Sequence, residues 1–287
     1  SGASLPRLTA ANWSAYAVSI PAYGWVILNA NVAPGPPPPP SAYDGHTIPA
    51  DLTPAWLAAT QTTATSFGDN VDELDQMFLR PQADGLAVGI TGNIEKNGMG
   101  LALLFDTVTG GQDSLSTAAF PVPPYGPAAM TGLGLDLGFT PDVLLWANFY
   151  GGTHYLDLYT LTFGGGGTHR YIGSNPVNGG GQALSGGSNT HGLLAAYCDS
   201  NTAGVTGSSA AAAATATCGF EALIPWADLG LGGPGGTVRV MAAIVRGDGS
   251  LGNQVFPSLG PGAGALGALP FSMKSVRENG TFRVPCE

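Results

Sequence analysis

The chain has 287 residues, including 45 glycines and 23 prolines, and only 10% of them are charged, 19 acidic against 9 basic for a net charge of −10. So few lysines and arginines leave no basic face to displace counterions from a nucleic acid, which excludes that partner, and no run of about 18 apolar residues is present to span a membrane. Apolar residues at 44% supply a core, and dense Gly and Pro punctuation without long helical periodicity predicts an all-β fold of short strands and tight turns.

Residues 12–32 carry strand signals. Tyr16, Val18 and Ile20 alternate, and Trp25, Val26, Ile27 and Leu28 form a compact apolar run. Pro34, Gly35 and the prolines from Pro36 to Pro40 follow; they form polyproline II or an extended spacer, reaching roughly 20 Å at ~3.1 Å per residue. The chain therefore divides into a strand segment (1–33), a proline-rich arm (34–43) and a main body (44–287). Within the body, 52–60 reads as a helical turn or a strand entry. The stretch 73–79 leads into a strand over 85–91, and another follows over 101–105. Gly92-Asn93 and Asn97-Gly98 between these two predict a hairpin or near-hairpin. Further strands are predicted over 143–149, 155–163, 193–198, 218–224, 238–245, 271–276 and 281–284, a spacing that favours a sandwich over a parallel α/β sheet.

Six segments, in order, resemble a known family: Thr60-Gln61-Thr62 through Phe67-Gly68-Asp69, ITGNIEKNGMGLALLFDTVTGGQ (90–112), DLGFTPDVLLW (136–146), SNTAGVTG (200–207), GFEALIPWADLG (219–230) and GNQVFPSLG (252–260). The body is similar to a bacterial secreted DOMON-like domain, related in fold to family-nine carbohydrate-binding modules. The resemblance implies a jelly-roll-like antiparallel β-sandwich with a sugar- or ligand-binding, surface-layer or matrix role. The N-terminal strand segment and its arm lie outside it, and Cys198 and Cys218 stand where it implies polar or small residues.

Cys198 and Cys218 bracket an excursion rich in Gly, Ala, Ser and Thr. A disulfide between them would staple that loop; the alternative is two buried thiols acting as small hydrophobes. Cys286 is then left free or pairs between molecules. His46, His154, His169 and His191 show no zinc spacing, and no G-x-S-x-G nucleophile elbow occurs. The run from Gly262 to Gly267 fits a dinucleotide pattern but follows Pro261 instead of a strand, so it reads as a loop. No catalytic role and no organic cofactor are expected. Asp106, Asp136 and Asp142, at strand ends, suit a structural Ca²⁺ or plain turn capping; nothing marks two of them as a glycosidase pair. Trp146 and Trp226 sit in apolar runs and read as core, not as sugar platforms, and Arg246-Gly247-Asp248 reads as a turn. Asn12 and Asn279 begin glycosylation sequons.

A chain that begins at Ser1 and carries so few charges fits a processed extracellular or cell-surface protein. The expected role is a structural subunit of a homopolymer or surface matrix, its N-terminal strand adding to a sheet of the next copy. The alternative is a carbohydrate-binding module whose N-terminal strands pair in cis. Glycans are partners in either case, bound or covalently attached.

Overall fold

A computed structural model describes residues 43–116, 127–181, 183–202, 204, 209–235, 237–260, 263, 264, 266 and 282–285. The N-terminal strand residues from Tyr16 to Leu28, the prolines of the arm, the expected strand at 271–276, both sequons and Cys286 lie outside these residues.

The chain enters through a short helix α1 (Ile48–Asp51) and a 3-10 turn (Pro54–Trp56), then runs into β1 (Leu57–Thr60), so 52–60 holds both elements that its sequence allowed. Next come β2 (Glu73–Pro81), β3 (Gly85–Asn93), β4 (Asn97–Asp106), β5 (Val143–Tyr150), β6 (Thr153–Leu161) and β7 (Gly167–Pro176). The two-residue β8 (Ser185–Gly186) precedes β9 (Leu194–Tyr197), a one-turn helix α2 (Ala210–Ala213), β10 (Gly219–Pro225), β11 (Thr237–Val245), β12 (Leu251–Phe256) and β13 (Phe282–Pro285). One sheet has the order β1-β2-β3-β10-β9; the other runs β12-β11-β4-β5-β6-β7-β8, with β13 also paired to β11. Every pairing is antiparallel.

The two sheets pack face to face as a β-sandwich. Alternation puts Met77, Leu79, Val88, Ile90, Phe220, Ala222 and Ile224 on the inner face of the first sheet. Leu101, Leu103, Phe105, Leu145, Ala147, Phe149, Val240 and Ile244 meet them from the second. The hairpin expected between β3 and β4 does not form: β3 pairs with β2 and β10, whereas β4 pairs with β5 and β11. The connection carries the chain from one sheet to the other. Its turn signal is overridden because the Asn93 amide donates inward to the carbonyls of Asn70 and Asn201, and the Ile94 N–H and C=O both engage the Tyr197 hydroxyl.

Both outer faces also carry cover. Tyr43, Ile48 and Leu52 lie on Phe78, Ala87 and Leu223 of the first sheet. On the second, Leu115, Met130, Leu133, Leu135 and Phe139, from the long β4–β5 connection, cover Ala102, Leu104, Leu144, Tyr159 and Met241. That cover extends over only part of the sheet, and the remainder of the same face is concave and open.

Candidate functional site

The open part of the outer face is a cleft of about 830 Å³, within the size range of small-molecule sites. Its floor is built by strand alternation. On β5 the residues pointing outward are Leu144, Trp146, Asn148 and Tyr150, and the first of these already lies under the cover. Trp146 stands opposite Asp157 of β6, which stands opposite Tyr171 of β7; one residue pair further on, Asn148 faces Tyr155. Asn97, Gly98, His169 and the β11–β12 turn at Gly247 and Asp248 complete the wall.

The indole of Trp146 lies deep, 2% exposed, whereas Tyr150 at the rim is 62% exposed. Gly100 makes the depth available, since a Cβ there would come within 2.2 Å of the indole ring. The side-chain amide of Asn148 donates to the carbonyls of Gly98 and Met99, at 3.1 and 3.2 Å, where the β4–β5 register slips between Asn97 and Gly100. This bond holds the start of β4 as part of the wall.

Asp157 and His169 form the polar centre. His169 Nε2 lies 2.7 Å from Asp157 Oδ1, and the imidazole stacks on Tyr159 with centroids 4.7 Å apart. Burial raises the Asp157 carboxyl above its ordinary range, and the bond and charge of His169 pull it partly back. Asp248, at the turn, accepts from the N–H and hydroxyl of Ser250 at 2.9 and 2.6 Å, which holds its carboxyl low. The cleft therefore offers aromatic faces from deep to shallow beside one buried and one exposed carboxylate.

Trp226 is core, as read from its apolar run: it is 3% exposed and its indole N–H donates to the Gln82 carbonyl. Trp146 is both core and cleft floor, which its sequence context does not reveal. Asp106, Asp136 and Asp142 are engaged with the protein. Asp142 accepts from the N–H groups of Thr107 and Val108 and from the Thr107 hydroxyl, as turn capping requires. Asp106 pairs with Arg239 at 3.2 Å and accepts from the Thr140 N–H; Asp136 is buried, and its carbonyl accepts from the Phe139 N–H. Cys198 and Cys218 are both buried and stand as free thiols. The Ser200 hydroxyl sits 3.0 Å from the first sulfur and 3.6 Å from the second. Hydrogen bonding from Cys218 lowers the Cys198 thiol, and the same coupling raises that of Cys218. Arg246-Gly247-Asp248 is the turn it reads as, closed by the Arg246 N–H on the Ser250 carbonyl. Among the described residues no helix is long and apolar enough to cross a membrane. Comparison with protein-family models, curated proteins and solved structures gave no match to this chain.

Proposed function

We propose that the protein is a carbohydrate-binding module and that the cleft on the outer face of the second sheet is its ligand site. The observation that carries this reading is the row of aromatic side chains, Trp146, Tyr150, Tyr155 and Tyr171, set beside Asn97, Asp157 and Asp248 on one concave sheet face. A pyranose presents an apolar C–H face and a girdle of hydroxyls. Aromatic planes match the first, and carboxylates and amides match the second. A neutral sugar also suits a cleft whose ionisable groups are few.

The Asp157–His169 pair acts here in recognition. One nitrogen of His169 is bonded to Asp157 and its ring face rests on Tyr159, so the imidazole is held as part of the wall and keeps the carboxylate oriented towards the ligand. The assembly reading rests on residues 1–33 and is independent of this cleft.

Titration calorimetry against a panel of neutral oligosaccharides tests the proposal. At least one should bind, and Tyr155→Ala and Tyr171→Ala should each weaken it by about tenfold or more while the folded spectrum is unchanged. Asp157→Asn should weaken binding by a similar factor. Binding to the wild type should also decline as the pH is lowered, because protonation converts the Asp157 acceptor into a donor. If no neutral sugar binds at millimolar concentration, or if the tyrosine variants bind as tightly as the wild type, the assignment is wrong.

A further inference from the structure

On the opposite side of the sandwich, Asp44, Asp51 and Glu221 bring one carboxylate oxygen each to within 4.8 Å of one another. Glu221 lies on β10 with its side chain on the outer face of the first sheet, and the two aspartates belong to the segment that covers that face. We propose that these three carboxylates form a divalent-cation site, best suited to Ca²⁺, that fastens residues 43–52 to β10.

Two observations separate this trio from an ordinary acidic surface. Glu221 is 0% exposed. Its Oε2 accepts from the Gly45 N–H at 3.2 Å, but its Oε1, sealed from water, has no hydrogen-bond partner. A buried carboxylate oxygen in that state is costly unless something positive or a donor reaches it. The second observation is charge. The ion pairs among the described residues join Lys96, His169, Arg170, His191 and Arg239 to other acids, and none involves this trio.

The size and chemistry fit a hard cation. Ca²⁺ takes 6–8 oxygens at roughly 2.3–2.6 Å, so oxygens on opposite sides of its shell are about 5 Å apart, against about 4 Å for Mg²⁺. The trio supplies three oxygens, and water fills the rest. The loop is arranged around them: the His46 N–H donates to Asp44 Oδ1 at 2.8 Å, and the Thr47 hydroxyl donates to Asp51 Oδ2 at 3.0 Å. The site thus ties the residues directly after the proline-rich arm to β10, an interior strand of the first sheet.

The test uses the full chain stripped of metal with a chelator. Calorimetric titration with CaCl₂ and thermal melts with and without Ca²⁺ are run on the wild type, Glu221→Gln, Asp44→Asn and Asp142→Asn. Wild type should bind Ca²⁺ in the submillimolar to millimolar range and melt several degrees higher with it. Glu221→Gln should melt at or near the metal-free wild type, because a neutral amide of the same shape replaces a carboxyl whose ionised form burial disfavours, yet lose about tenfold or more in Ca²⁺ affinity. Asp44→Asn should lose affinity likewise, and Asp142→Asn should keep the response. Hydrogen exchange of residues 43–52 should slow with Ca²⁺ in the wild type and not in Glu221→Gln. A wild type indifferent to about 10 mM Ca²⁺, or a Ca²⁺ response of equal size in Glu221→Gln and Asp44→Asn, overturns the site.

Discussion

At the scale of single residues, the ionisable groups that the fold buries set how this protein responds to pH. His154 is 0% exposed on β6, and neither ring nitrogen makes a hydrogen bond. Burial lowers its imidazole to about 4, the largest influence on it, with the nearby Ala195 backbone acting in the opposite direction. An unfolded imidazole titrates near 6.5, so between these values the unfolded state holds more protons than the folded one. Stability from this residue is therefore complete above about pH 6.5 and falls as the pH drops towards 4, by a few kcal/mol in all. His154→Gln should flatten that part of the curve, which denaturant unfolding at a series of pH values measures; an unchanged slope would assign the acid sensitivity to another group. Nothing in the sequence singled out His154, because a strand histidine reads the same whether its face is covered or open.

At the scale of elements, local pattern located most strands but not their partners. The runs at 85–91, 101–105, 143–149 and 238–245 are all strands, because period-two alternation and flanking turn residues are written in neighbouring positions. β7 went unread, since its segment GTHRYIGSNP is mostly polar or glycine and shows little alternation. The Asn97-Gly98 signal suggested a hairpin, but long-range bonds from Asn93 and Ile94 send the chain into the other sheet. The short helix α1 depends on tertiary contact in the same way. Four residues cannot hold a helix alone, and Ile48 and Leu52 anchor it by burial against β2, β3 and β10. Leu52→Ala should cost about 2–5 kcal/mol in urea unfolding. A loss below about 1 kcal/mol would mean that the cover over the first sheet contributes little to the fold.

At the scale of the whole molecule, a two-sheet sandwich carries cover on both outer faces, and the cleft opens where the cover of the second sheet stops. The assembly reading belongs to this scale too. If residues 1–33 add as a strand to another copy, a chain lacking them should remain a soluble monomer in light scattering and accept the missing peptide in trans. Unfolding, or association identical to the full chain, would instead favour pairing in cis or no role in assembly. Composition and turn chemistry alone determined the all-β class, because Gly, Pro and alternating apolar residues act over a few neighbours. The cleft was only half legible. Alternation places Leu144, Trp146, Asn148 and Tyr150 on one face of β5, but both faces of that strand begin apolar, so the segment cannot tell which half of the face stays uncovered. Only the tertiary structure decided this, by ending the cover beside Trp146. It alone brought Asp44 and Asp51 to Glu221, because contacts between residues so far apart in the chain depend on sheet order and the path of the covering segment, which no local pattern encodes.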